Sequence, residues 1–200
     1  MSKIALTPNA SGTGVFTIAS PNSNTDRTLT LPDEAGTLVT TSSLPNPLTS
    51  GIAIASTSGT AIDFTGLPSW VKRITVMFSA VSTNGSSGIR FQLGDSGGIE
   101  TTGYTGTATY IGSAVGGADS TSGFDGYGDT NAVFSRFGNF VFTLLASNTW
   151  TLTGSYRYTT GFAILVYGAK QLSDTLTQVR ITTPNGTDTF DAGSINILYE

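Results

Sequence analysis

One segment of the chain, residues 94–139, places aromatic rings and carboxylates among closely spaced glycines. Proteins bind sugars by laying aromatic rings against their C–H faces, while carboxylate oxygens accept hydrogen bonds from the sugar hydroxyls. Tyrosine and glycine are also favoured in adaptable contact loops. This composition predicts recognition of a surface glycan or protein, with six candidate contact residues: Tyr104, Tyr110, Phe124, Asp125, Tyr127 and Asp129.

Two other interpretations of this segment stay open. In the first, it is a solvated glycine-rich loop whose aromatic rings pack on a neighbouring subunit. In the second, Asp119, Asp125 and Asp129 bind Ca²⁺, which prefers oxygen ligands. Their spacing does not follow the EF-hand pattern, so we expect no metal at these carboxylates.

Catalysis is a further interpretation of the same carboxylates. A polysaccharide-cleaving enzyme needs two carboxyl groups roughly 5–10 Å apart. Glu100, Asp125 and Asp129 could supply such a pair, but nothing in their spacing selects one. The chain has no His and no Cys, which excludes Ser-His-Asp and Cys-His relays, disulfides, and zinc sites built on these residues. We therefore expect no enzyme and no cofactor.

Charge and hydropathy argue against two classes of partner. Only 11% of the residues are charged, the net charge is -4, and the nine Lys and Arg residues are scattered, so no basic stripe is available to neutralise phosphates. The N-terminal sequence lacks the apolar stretch of a secretory signal. The longest apolar run, residues 162–167, is far shorter than the roughly 20 residues that cross a membrane. We expect neither nucleic-acid binding nor membrane insertion.

Short alternating runs separated by turn residues predict the fold of residues 50–200. They indicate an all-β, antiparallel β-sandwich of the jelly-roll type, although a β-prism or an intertwined trimer fits the same strand count. In the clearest run, Ile74, Val76 and Phe78 face the core. Trp150, Tyr156 and Tyr158 share one parity and are expected to be buried together. Asn84-Gly85 and Asn185-Gly186 each predict a β-hairpin turn, because Asn and Gly tolerate positive φ.

The N-terminal residues 1–45 differ from the rest of the chain. Short alternating runs at 15–18, 28–31 and 37–40 predict strands, but so short a segment cannot bury enough area to fold alone. We expect it to gain a core by trimerising or by docking onto another protein. Residues 41–48 contain Pro45 and Pro47, which oppose helix formation, and are interpreted as a linker.

Two stretches resemble proteins of tailed-bacteriophage fibres. Residues 25–39 read TDRTLTLPDEAGTLV and are similar to an element common where a tail-fibre shaft or attachment region begins. Residues 57–78 read TSGTAIDFTGLPSWVKRITVMF and are similar to a β domain found at the C-terminal ends of phage and prophage fibre proteins. The final residues, 195–200, also fit that domain.

The resemblance implies a homotrimeric structural protein of the virion, most simply a tail fibre, made in the host cytoplasm without a signal peptide. It implies attachment to a host glycan or protein through the C-terminal β domain. Residues 1–45 would then join the trimer to other tail or capsid proteins. The alternative is a capsid decoration protein, a head fibre or a minor tail protein that binds no receptor.

Overall fold

The computed structural model describes residues 10–15, 17, 19, 22–26, 28, 30, 48–112, 114–127, 131–132, 134–159 and 161–200. The chain divides into two compact units, Met1–Val39 and Thr40–Glu200. The described residues of the first unit form turns, bends and irregular chain. The strands predicted at 15–18, 28–31 and 37–40 lie largely outside the described residues, as does most of the predicted linker.

The described residues of the second unit form β-strands joined by turns and irregular chain, and none of them is helical. In chain order the strands are β1 Thr49–Ser50, β2 Ile54–Ala55, β3 Ala61–Thr65, β4 Arg73–Thr83, β5 Arg90–Asp95, β6 Gly98–Ile99, β7 Tyr104–Ile111, β8 Val115–Ser120, β9 Phe124–Asp125, β10 Arg136–Ala146, β11 Thr149–Tyr158, β12 Ala163–Gln171, β13 Gln178–Thr182 and β14 Phe190–Tyr199.

These strands form two antiparallel sheets. The larger sheet has the order β1-β14-β4-β10-β11-β12-β7-β8, with β2 also paired to β14. The smaller sheet has the order β3-β13-β5-β6, with β9 also paired to β5. The two sheets pack in a sandwich-like arrangement, and this confirms the all-β antiparallel sandwich that the sequence predicts.

The core lies between the sheets because the alternation of each strand turns one row of apolar side chains inward. Ile74, Val76 and Phe78 of β4 are buried as expected. From the smaller sheet, the ring of Phe91 reaches across to Phe140 and Phe78, at centroid distances of 4.3 Å and 5.6 Å. The predicted burial of one face of β11 is also confirmed at three aromatic residues: Trp150, Tyr156 and Tyr158.

The two predicted Asn-Gly hairpins are wrong. Asn84-Gly85 lies between β4 and β5, and Asn185-Gly186 between β13 and β14, and in each case the flanking strands belong to different sheets. The two loops instead contact each other: Asn84 N donates to Thr189 O at 2.9 Å, and Thr189 N donates to Asn84 Oδ1 at 2.8 Å. Neither Asn84 nor Gly85 has positive φ. Covering both inner sheet faces buries more apolar area than a local hairpin would, so packing overrides the turn preference.

A two-residue turn that the sequence reasoning did not single out joins β10 to β11. Ser147 and Asn148 have φ of 46° and 62°, and Thr149 pairs with Ala146 across the turn. Positive φ at both central residues defines the type I′ turn, whose twist matches that of the flanking strands. Asn148 O also accepts a hydrogen bond from Leu172 N at 3.0 Å.

Replacing Asn148 by Val is expected to lower the free energy of unfolding by about 1–2 kcal/mol, because a β-branched residue is strained in the left-handed region. Chemical denaturation of the purified protein measures the change. Asn148→Gly is the control, since Gly adopts positive φ without strain. Equal stability of the Val and Gly variants would contradict a left-handed turn at this position.

Candidate functional site

Most of the glycine-rich segment 94–139 is strand, not the long loop that its composition suggests. It contributes the end of β5, all of β6, β7, β8 and β9, and the first residues of β10. Several of its glycines sit where a side chain would overlap a neighbour. A Cβ on Gly116 would lie 2.7 Å from a ring carbon of Tyr110, and one on Gly112 would overlap the ring of Phe162. The glycines therefore let aromatic rings lie directly against the β7–β8 hairpin.

Two of the six predicted contact residues belong to the core. Tyr104 is 3% exposed and Phe124 is fully buried, and their rings meet edge to face at 5.0 Å. The Tyr104 hydroxyl accepts a hydrogen bond from Leu93 N at 2.8 Å and donates to Glu100 O at 2.9 Å. Burial raises the pKa of Tyr104 above its ordinary value. In this conformation neither ring presents a surface to a ligand.

Two other predicted contact residues lie together at the surface. The rings of Tyr110 and Tyr127 are stacked, with centroids 5.7 Å apart and planes 26° from parallel. Phe162 meets Tyr110 edge to face at 6.2 Å. All three side chains are half-buried and pack against the edge of the core. We refer to Tyr110, Tyr127 and Phe162 as the aromatic cluster.

Asp125, two residues before Tyr127, forms a bidentate ion pair with Arg90 of the neighbouring strand. Arg90 Nε and Nη2 donate to Asp125 Oδ1 and Oδ2 at 2.6 Å and 2.7 Å. The hydrogen bonds that Arg90 donates to Asp125 raise the pKa of Arg90. Both side chains keep about a fifth of their surface exposed, 17% and 21%. The pair therefore offers fixed donors and acceptors beside the chain segment that carries Tyr127.

A second bidentate pair lies on the same sheet. Arg180 Nε and Nη2 donate to the two carboxylate oxygens of Asp63, both at 2.7 Å, and these side chains are about one-third exposed. The hydrogen bond to Asp63 raises the pKa of Arg180. The outer face of the smaller sheet is thus polar, whereas its inner face carries Phe91 and Leu93.

The carboxylates of the proposed calcium site have other partners where they are described. Asp125 is paired with Arg90, and Asp119 Oδ1 accepts a hydrogen bond from Thr107 Oγ1 at 2.6 Å. Asp129 lies outside the described residues. Among the residues that the structure describes, no group of three or more carboxylate, His or Cys side chains is arranged to hold a metal ion.

The sequence reasoning missed two members of the surface group. Phe162 was noted only as the start of the longest apolar run, residues 162–167, and Arg90 was given no role. A signal for each was present. Phe162 follows Gly161, which has φ of 91° at the β11–β12 turn. Arg90 begins β5 with the parity opposite to that of the buried Phe91 and Leu93, which places it on the outer face of the strand. Neither signal says which carboxylate or ring each residue would meet.

No protein-family model, curated protein or solved structure matches this chain. Within the described part of the chain, no helix combines the length and the apolar character needed to cross a membrane. The site must therefore be interpreted from its own geometry and from the resemblance of the two stretches already quoted.

Proposed function

We propose that this chain is a structural fibre protein of a tailed bacteriophage that attaches the virion to its host by adhesion rather than catalysis. The observation that carries the proposal is the stacked, half-exposed pair Tyr110–Tyr127, in which Tyr127 lies two residues after Asp125 of the Arg90–Asp125 ion pair. The resemblance of residues 25–39 and 57–78 to fibre proteins supports the same function.

The proposed binding mechanism uses two kinds of contact. The exposed parts of the aromatic cluster lie against the C–H faces of a surface glycan or the apolar side chains of a surface protein. Asp125 and Arg90 hold each other in place, and their remaining lone pairs and N–H groups bind polar groups of the receptor. Because the ion pair is already formed, little side-chain entropy is lost on binding.

The proposed assembly is a homotrimer, in which residues 1–45 intertwine and dock onto other tail or capsid proteins. Three heads on one axis, multiplied over several fibres, raise the avidity for a cell surface by a factor of about 10² or more without any new contact. Weak binding by each head is then sufficient for attachment.

The double substitution Tyr110→Ala, Tyr127→Ala is expected to reduce binding of the purified protein to host cells by about tenfold or more, as for loss of an interface hot spot. Flow cytometry with fluorescently labelled protein measures the binding. Tyr167→Ala is the matched control, because this tyrosine is 42% exposed and lies on β12 at a position that faces away from the core. The melting temperature of each variant shows whether it is folded.

Loss of binding in the double variant, with retention in Tyr167→Ala, supports receptor contact through the aromatic cluster. Equal binding by all three proteins would place the receptor site elsewhere on the molecule. Absence of binding by the unmodified protein would favour the alternative of a decoration or head-fibre role. Immunogold labelling of intact particles then separates tail from capsid.

A further inference from the structure

A buried lysine and two carboxyl groups meet between the two sheets, apart from the aromatic cluster. Lys170 of β12 is 5% exposed, and its Nζ forms an ion pair with Glu100 Oε2. Glu100 follows β6 in the smaller sheet, so the pair connects one sheet to the other. The ring of Tyr104 lies beside the ammonium group, with its centroid 5.3 Å from Nζ.

The second oxygen of Glu100 is held by one residue. Ser173 N and Ser173 Oγ both lie within hydrogen-bond distance of Glu100 Oε1, at 2.7 Å and 2.8 Å. This leaves the carboxyl carbon between Nζ on one side and two hydrogen-bond donors on the other. Such donors stabilise the negative charge that develops on an oxygen when a nucleophile adds to its carbon.

Asp95 completes the cluster and affects its protons. Ser173 Oγ lies 2.6 Å from Asp95 Oδ2 as well as near Glu100, yet a serine hydroxyl carries a single hydrogen. Both contacts are hydrogen bonds only when one of the two carboxyl groups is protonated. Hydrogen bonds from Ser173 and Gly97 lower the pKa of Asp95, so Asp95 is ionised at rest and can take up a proton only while a reaction at Glu100 proceeds.

We infer that Lys170 and Glu100 join in an intramolecular isopeptide bond, formed by the folded protein itself without any cofactor. The reaction needs a buried amine and a carboxyl group in direct contact with it, which Lys170 and Glu100 supply. Ser173 provides hydrogen-bond donors to Glu100 Oε1, the oxygen that is retained in the product amide. Asp95 is a neighbouring carboxylate that can accept a proton.

The reaction is a condensation that releases one water molecule. Burial raises the pKa of Glu100, but the hydrogen bonds from Lys170 and Ser173 together lower it by more. The pKa of Glu100 therefore lies below its ordinary value, and the resting state is an ion pair. Lys170 Nζ first passes a proton to Glu100 Oε2, giving a neutral amine and a neutral acid. The nitrogen lone pair adds to Cδ while Ser173 stabilises the charge on Oε1. A second proton moves from nitrogen to Oε2, the Cδ–Oε2 bond breaks, and water leaves.

The bond would connect the two sheets covalently in a chain that has no cysteine and therefore no disulfide. It would close residues 100–170 into a loop, and a cross-link that closes a long loop stabilises a fold by restricting the unfolded chain. A particle component exposed outside the cell would keep this cross-link under reducing as well as oxidising conditions.

Intact-mass spectrometry of the purified, denatured full-length protein tests the inference. The expected mass is lower than the sequence mass by one water molecule, and trypsin is expected to yield a branched peptide in which residues 91–136 are joined to residues 158–180, since the linked Lys170 resists cleavage. A folded protein with the full sequence mass would overturn the inference and leave an ordinary ion pair.

Variants show whether the named residues perform the reaction. Lys170→Arg keeps the positive charge but lacks the amine, so it is expected to show the full sequence mass. Ser173→Ala removes only the hydroxyl and is expected to fold, with cross-linking slower in a time course started by refolding. If Lys170→Arg does not fold, the branched peptide of the unmodified protein still decides the question. A mass deficit that persists in folded Lys170→Arg would exclude Lys170 as the amine.

Discussion

Phe91→Ala is expected to lower the free energy of unfolding by about 3–5 kcal/mol, the range found for truncating a buried aromatic residue. The ring is fully buried and contacts three phenylalanines of the opposite sheet, with centroid distances of 4.3–6.0 Å: Phe78, Phe140 and Phe142. Its removal leaves a cavity between the sheets that the rigid strands cannot fill.

The matched control for this substitution is Phe137→Ala. Phe137 is 39% exposed on β10, so its truncation is expected to change stability by only about 0.5 kcal/mol, as is usual at the surface. Urea denaturation monitored by tryptophan fluorescence measures both variants. Similar losses in the two would contradict the assignment of Phe91 to the centre of the sandwich.

Gly138→Ala is expected to have the second large effect, a loss of about 3 kcal/mol or more, at the upper end of the range for overpacked sites. A Cβ at Gly138 would overlap the carbonyl oxygen of Ser155 and would lie 2.5 Å from Tyr156 Cα. Both obstacles are backbone atoms of the paired strand β11, so no rotamer change can relieve the clash. The strands would have to separate, which breaks the β10–β11 ladder near the start of β10.

The control for Gly138 is a glycine with open space and ordinary φ. Gly14 has no atom within 4 Å of an added Cβ, so Gly14→Ala is expected to leave the melting temperature unchanged. Differential scanning calorimetry compares the two variants. If the Gly138→Ala variant has the same melting temperature as the unmodified protein, β10 and β11 can accommodate a methyl group between them.

The candidate site shows why sequence reasoning found part of a surface and missed the rest. Tyr104 and Tyr110 are six residues apart on β7 and face the same side of the sheet, so the alternation of side chains along the strand does not distinguish them. Tyr104 lies beneath the smaller sheet, where its hydroxyl bonds Leu93, whereas Tyr110 is half-buried and packs against Tyr127 and Phe162. The position of the sheet edge, which no local pattern encodes, separates a core tyrosine from a surface one.

The lysine cluster illustrates the same limit over a longer distance. Lys170 stands in β12 as a single charge after an apolar run, and Glu100 stands seventy positions earlier beside glycines. Neither residue by itself indicates a partner in the sequence. Their ion pair forms because the two sheets stack with these positions facing each other. A local pattern cannot report a contact between strands of different sheets.

Local sequence was sufficient for the class of structure and the burial of individual strands. Alternation in β4 and β11 predicted which faces carry Ile74, Val76, Trp150 and Tyr156, because side chains on a strand point to opposite faces in turn. The connections between strands depended on tertiary contacts. The Asn-Gly pairs at 84–85 and 185–186 favour hairpin turns, but burying apolar side chains such as Phe91 between the two sheets stabilises the fold by more. Periodicity is a property of residues that are neighbours in the sequence. Strand pairing and the assembly of the site depend instead on which apolar side chains, distant in the sequence, pack against each other.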